Sequence, residues 1–321
     1  MSHVLCVYHR EDFDGVCSAA IVEAHTRMAG YELIAIGADY GDNPDLAWTD
    51  IMAKIQGLDI ARVFVVDFCY EDDKVMARLA ALGQQPMVYI DHHDSGIRRV
   101  EALKNMGLDA GQGLDVEIVK SAETISACEL AWTWLFPNRE IPDAVDLLSC
   151  YDTWRLDNCQ VLPFQYGLKS RSTAMDFHAE IWPWLLNLSG SYRQNLDLIE
   201  DITELGRAVV DYITATNTKQ AKSVAFTAWI DGWCFCCGNA VMANTDTFKT
   251  AFKKQHQAAM VFYVLDDGRW KFTVSRIHNS EFNAGEFAEA MAKTQAGCKG
   301  GGRAEVAGFI LNTMPDFITK R

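Results

Sequence analysis

"ARVFVVDF", residues 61–68, is a β-branched and aromatic run that closes around an acid, Asp67. An apolar run without alternation marks a strand covered on both faces, as in a parallel sheet. Two more runs behave alike. "HVLCVYH" (3–9) ends at His9 and leads into "REDFDG", which carries Asp12 and Asp14. "PMVYIDHH" (86–93) ends in Asp91, His92 and His93. "YELIAIGADYG" (31–41) reads as a further strand. Helical stretches lie between them: "GVCSAAIVEAHTRMAG", closed by Gly30, and "EDDKVMARLAALG", with acids in its first turn and Gly83 at its end. This βαβ rhythm predicts an α/β fold, a mostly parallel sheet with helices on both faces.

Downstream, "DVEIVK" reads as a short strand, and "SAETISACELAWTWLF" (121–136) and "PDAVDLLSCYDTW" (142–154) as helices. Glu123 and Glu129 are read as helix surface. Residues 170–222 look largely helical. From Ser223 on, strands are expected at "SVAFTAWI", "WCFCC", "AAMVFYVLDD" and "WKFTVSRI", with helices at "TDTFKTAFKKQ" and "AGEFAEAMAK". A glycine-rich stretch, "GCKGGGRAEVAGF", follows. The expected organisation is a first domain over 1–170, a helical linker over 171–222, and a smaller α/β domain with a mixed sheet over 223–321.

Composition narrows the function. The chain has 321 residues, 49% of them hydrophobic, enough for two cores. No charged-then-apolar leader and no apolar run of about 18 residues is visible, so a cytoplasmic protein with no membrane partner is expected. The ten cysteines are scattered, which suits reduced thiols. Cys234, Cys236 and Cys237 lack a second ligand pair at zinc spacing and read as small apolar strand residues. The net charge of −14 argues against long duplex DNA as a partner. The charge is uneven: from Thr218 onward there are 13 Lys+Arg against 9 Asp+Glu, and before it 16 against 34.

Ligands of open α/β sheets bind beyond the carboxyl ends of the strands. His9, Asp12, Asp14, Asp67, Asp91, His92 and His93 would gather there. Unpaired, these carboxylates would repel one another at high desolvation cost. A pair of divalent cations removes that cost. With oxygen and imidazole ligands and no thiolate, Mn²⁺, Mg²⁺ or Co²⁺ suits the set better than structural zinc. Such a pair suits hydrolysis at phosphorus, where it activates water and holds both entering and leaving oxygens. Taken singly, His9 could be an ordinary strand-end histidine, Asp67 a helix N-cap for "EDDKV", and Asp152 a surface residue.

"HREDFDG" (9–15), "VVD" (65–67), "IDHH" (90–93) and "SCYD" (149–152) resemble, in order, the four motifs of the DHH phosphoesterase superfamily. "SRIHNSEFNAGEFAEAMAKTQAGCKGGGRAEVAGF" (275–309) resembles its DHH-associated C-terminal domain. Within the superfamily the pattern is similar to the RecJ-like group in its short form: nanoRNases (oligoribonucleases, a class of exonuclease), pAp phosphatases and exopolyphosphatase-like proteins. The resemblance implies two divalent metal ions, with Mn²⁺ the expected pair. His9 and Asp12 would bind one, Asp14 the other, and Asp67 would bridge them. His92 and Asp152 would complete the set, and Asp91 would orient a ligand from behind. Asp67, His92 and His93 would be the catalytic groups, with His93 facing substrate. Ser275, Arg276, Gly301, Gly302 and Arg303 would contact substrate phosphates across a cleft between the domains.

Two positions depart from the family. The first motif has one more spacer residue than HxDxDG, with Glu11 the bystander. Arg303 stands where the family's GGH motif has histidine; arginine clamps phosphate well but does not shuttle protons at neutral pH. The resemblance implies hydrolysis of short single-stranded oligonucleotides to mononucleotides. A phosphatase for polyphosphate or pAp is the alternative within the enzyme class, and a non-catalytic nucleotide-binding regulatory module the alternative outside it. A homodimer stays open.

Overall fold

The structure, a computed structural model, describes residues 2–110, 115–171, 174–241, 245–277 and 280–315, without the side chains of 106–110 and 246. His278 and Asn279 of the quoted C-terminal stretch lie outside the described residues. The chain divides into two compact units, Met1–Val210 and Asp211–Arg321.

The first unit runs β1 (His3–His9), α1 (Phe13–Met28), β2 (Glu32–Ala38), α2 (Pro44–Ile55), β3 (Ile60–Val66), α3 (Asp73–Ala80), β4 (Met87–Ile90), α4 (Asp94–Ala110) and β5 (Val116–Val119). Helices α5 (Ala127–Leu135), α6 (Asp143–Asp152), α7 (Val161–Lys169), α8 (Ile181–Leu185) and α9 (Tyr192–Val224) follow. The five strands pair in the order β2-β1-β3-β4-β5, and every pairing is parallel.

Strand alternation builds two cores. Val4, Cys6, Phe64, Val66, Val88 and Ile90 face one side, with α1 and α5–α8. Leu5, Val7, Val63, Val65, Met87 and Tyr89 face the other, with α2–α4. Both faces are covered, which is why these strands read as continuous apolar runs. Helix α2 was not legible in advance; Asn43 caps it by accepting from the Asp45 and Leu46 amides, and Pro44 opens it. Helix α5 begins at Ala127, six residues later than the sequence pattern placed it. The boundary between the units falls inside the 33-residue helix α9.

The second unit contains β6 (Phe226–Ile230), β7 (Trp233–Asn239), β8 (Ala258–Val264), β9 (Trp270–Arg276), α10 (Ala284–Ala292), β10 (Gly300–Gly302) and β11 (Val306–Leu311). A 3-10 helix over Thr245–Ala251 replaces the longer α-helix expected there. The sheet order is β10-β11-β9-β8-β7-β6; β7–β8 is parallel and the other pairs are antiparallel. Cys234, Cys236 and Cys237 are buried strand residues of β7.

Candidate metal centre

All five strands of the first sheet point their carboxyl ends to one edge, and β1, β3 and β4 are neighbours there. His9 closes β1, Asp67 follows β3, and Asp91, His92 and His93 follow β4. The Asp67 amide still donates to Ile90 O at 2.9 Å, so the ladder carries one residue past the strands. Asp12 caps α1 by accepting from the Gly15 amide at 3.0 Å, which sets Asp14 in the first helical turn. A Cβ on Gly15 would sit 2.0 Å from His9 O. Only glycine lets α1 start this close to the end of β1.

Among the described residues three ligand groups result: the triads His9–Asp12–Asp67 and Asp14–His92–Asp152, and the overlapping set Asp67–Asp91–His92–His93. His9 Nδ1 lies 3.0 Å from Asp12 Oδ2 and 3.8 Å from Asp67 Oδ2. His92 Nε2 lies 3.1 Å from Asp152 Oδ2, 3.7 Å from Asp67 Oδ1 and 3.8 Å from Asp14 Oδ2. Each oxygen of Asp67 therefore faces a different triad. Asp67 does not cap α3; Asp72 does. Glu11 is turned to Arg10 and exposed.

The acid cluster is electrostatically incomplete. Asp67 is 1% exposed, and neither of its carboxylate oxygens has a hydrogen-bond partner. Burial, reinforced by the charges of Asp14, Asp12, Asp91 and Asp152, pushes its pKa well above the carboxylate range. Burial also raises Asp14, helped by Asp152. For His9, burial opposes the charge, but Asp12 and Asp39 outweigh it and the pKa rises. His92 rises for the same reason, with Asp152 and Asp14 opposing its burial. His92 Nε2 is close to Asp152 yet out of line for a hydrogen bond. Orphaned buried oxygens between two imidazole–carboxylate sets are what divalent cations satisfy, so the donor set fits a metal pair.

Asp91 sits behind His92 and His93. It is fully buried, accepts from the His92 and His93 amides at 2.7 and 2.9 Å, and holds His93 Nδ1 at 2.9 Å. These bonds keep it ionised against its burial, so its pKa is lowered. Tyr89 donates its hydroxyl to the other oxygen of Asp91, a partner the sequence did not signal. His93 remains 33% exposed.

Sequence reasoning also missed the support beneath Asp14. Ser126 Oγ donates to it at 2.6 Å, and the Ala127 and Cys128 amides donate at 2.9 and 2.8 Å. Asp14 thus takes up the free amides at the start of α5, where a negative charge is favoured. Beginning the helix at Ser126, a good N-cap type, would have flagged it. Glu129 is a correction as well: it is buried, not surface. Ser149 donates to its carboxylate at 2.5 Å and Arg155 at 3.1 Å, while Ser149 Oγ accepts from the Ser126 amide at 3.0 Å. Helix α5 is buried at every position from Ala127 to Trp132, so its first turns have no solvent face for Glu129.

In the second unit, β9 and β10 both run antiparallel to β11, one on either side of it. Ser275 and Arg276 at the end of β9 and Gly301, Gly302 and Arg303 at the end of β10 therefore reach the same sheet edge. Arg276 Nη2 pairs with Glu305 at 2.8 Å, an acid not anticipated there. Arg303 is exposed, and its amide donates to Val306 O at 2.9 Å, closing the turn. Gly302 has φ +150, and a Cβ there would meet Ala307 at 2.6 Å, so the turn demands glycine.

The DHHA1 domain family matches residues 240–320. RecJ from Thermus thermophilus, solved in complex with Mn²⁺, shares this chain's fold at 14% identity and a TM-score of 0.52, covering 96% of this chain and 49% of that one. The stretch that matches the DHHA1 domain lies within the second unit. An exopolyphosphatase-related protein from Bacteroides fragilis has the same fold at 11% identity and a TM-score of 0.52, covering 99% of this chain and 89% of that one. The chain spans about half the length of the RecJ structure. No curated protein matches it. Among the described residues, no helix is long and apolar enough to cross a membrane.

Proposed function

We propose that this protein is a divalent-metal-dependent phosphoesterase that hydrolyses short single-stranded oligonucleotides. The observation that carries the reading is Asp67, buried, without a hydrogen-bond partner for either oxygen, and shared between two imidazole–carboxylate triads. His9, Asp12 and Asp67 would hold one cation, and Asp14, His92, Asp152 and Asp67 the other. A bound pair supplies Lewis acidity and lowers the pKa of water. The chain's own part is to hold the ligands, to exclude bulk water around Asp67, and to manage a proton. Asp91 accepts from His93 Nδ1, which fixes the ring and leaves Nε2 to hold or pass a proton at the leaving oxygen. Ser275, Arg276, the Gly301 and Gly302 amides and Arg303 are the proposed phosphate contacts of the DHHA1 domain.

Mn²⁺ is the proposed pair; it is the ion in the RecJ structure that shares this fold. The exopolyphosphatase-related relative of the same fold supports a second reading, a phosphatase for polyphosphate. Parallel assays with Mn²⁺ on 5′-labelled dinucleotides, a 20-mer, pAp and polyphosphate test the choice. The highest kcat/KM on dinucleotides is expected. Rates that rise steadily with length would favour a processive exonuclease instead.

A further inference from the structure

Among the described residues, four non-glycine residues have a left-handed backbone: Asp67, Trp154, Asn187 and Asp231. Three are Asp or Asn, the types that tolerate that region, and the fourth is tryptophan. Trp154 has φ +58 and is 62% exposed. It lies two residues beyond Asp152, a member of the second triad.

The turn explains how the strain is held but not why the residue is tryptophan. Helix α6 ends in a Schellman motif, in which the Trp154 amide donates to Tyr151 O at 3.2 Å and the Arg155 amide to Cys150 O at 2.8 Å. Glycine is the usual occupant of Trp154's place in that motif. Side chains on either side lock the turn. Thr153 Oγ1 donates to Ser149 O at 2.6 Å, and Arg155 reaches Thr153 Oγ1, Ser149 and Glu129. The flanking residues are drawn inward while Trp154 is driven out into solvent. Neither burial nor backbone preference accounts for a large aromatic there.

We infer that Trp154 is a stacking platform for a nucleobase of the substrate whose phosphate is taken by the metal centre. The inference rests on the phosphoesterase reading and narrows it to nucleotide substrates. An indole face accepts any base, so the site would bind without sequence preference.

The test is equilibrium binding of AMP and of inorganic phosphate to the full chain with Mn²⁺, by calorimetry, beside turnover of a diadenylate. Trp154→Ala should weaken AMP binding by about 10- to 100-fold and leave phosphate binding unchanged. Trp154→Phe should recover most of the loss. Trp154→Gly, which suits the backbone, should bind AMP as weakly as Trp154→Ala and so exclude misfolding. AMP binding that is equal in wild type and Trp154→Ala, or absent from both, overturns the inference, as does an equal loss for AMP and phosphate. Trp154-dependent AMP binding in a protein without diadenylate turnover would support stacking while removing the hydrolase reading.

Discussion

The two sheets gather chemistry at one edge by the same means and dress it in opposite ways. In the first, parallel strands deliver carboxylates and imidazoles around a buried acid, Asp67, which has no hydrogen-bond partner. In the second, two strands flanking β11 deliver arginines to an open edge, where Arg276 already has Glu305. The difference is in keeping with the ions proposed for each edge. A divalent cation exchanges its water for protein oxygens, so its site gains from being dry and charge-dense. A guanidinium meets a phosphate that stays partly solvated, and it needs geometry more than burial.

The largest expected effect breaks the first edge. Asp67→Asn removes the charge shared by both triads while keeping shape, so turnover should fall by about 10³-fold or more with the fold intact. Turnover on the true substrate together with circular dichroism checks this; near-normal turnover would remove the two-metal reading.

Next comes the second edge. If Arg303 clamps phosphate through charge-assisted bonds worth about 1.5–3 kcal/mol each, Arg303→Ala should cost on the order of 10² in kcat/KM. Mn²⁺ affinity, measured by calorimetry, should not change. Arg303→Lys should recover part of the loss, since it keeps charge without the fork. Wild-type kinetics for Arg303→Ala would leave that edge a solvated loop.

Ser126→Ala sharpens the comparison by touching only the support of a metal ligand. Asp14 would keep two backbone donors and lose one hydroxyl. Mn²⁺ affinity should drop by about 10-fold.

Proton competition gives a smaller signal. Asp14, Asp67, His9 and His92 all have raised pKa values. The metal-free folded chain therefore binds protons more tightly than the unfolded one. Its stability falls as pH rises from each group's ordinary value toward its raised one. Asp12 and Asp91 are lowered, and their contribution is lost only when pH falls through the carboxylate range. Mn²⁺ competes with the tightly held protons, so it should raise Tm more at pH 8 than at pH 5. An increment that shrinks with rising pH would contradict the buried-carboxylate account. The smallest effect is at Trp154: glycine there relieves a strained backbone and should raise Tm by about 1–3 °C.

The sequence by itself determined the parallel sheet and the ligand edge. Short apolar runs, rich in β-branched and aromatic residues and ending in acid or histidine at 9, 67 and 91–93, read as strands buried on both faces, and parallel strands send their ends to one side. It also put His9, Asp12, Asp14, Asp67 and His92 at that edge, because each ends or follows a strand or opens the next helix; Asp152, the last residue of α6, came only from the resemblance to the SCYD motif. Tertiary structure alone decided what holds them. Ser126 and the α5 amides reach Asp14 from more than a hundred residues away. Tyr89 needs the pleat to point it back at Asp91, and Glu129 is buried by its pairing with Ser149 and Arg155. The left-handed turn at Trp154 comes from the way α6 ends, not from tryptophan's own preference. Strand and helix signals are periodic and local, so a chain displays them. The partners of Asp14 and Glu129 are chosen by which elements pack together, and no single window of sequence contains both sides of those contacts.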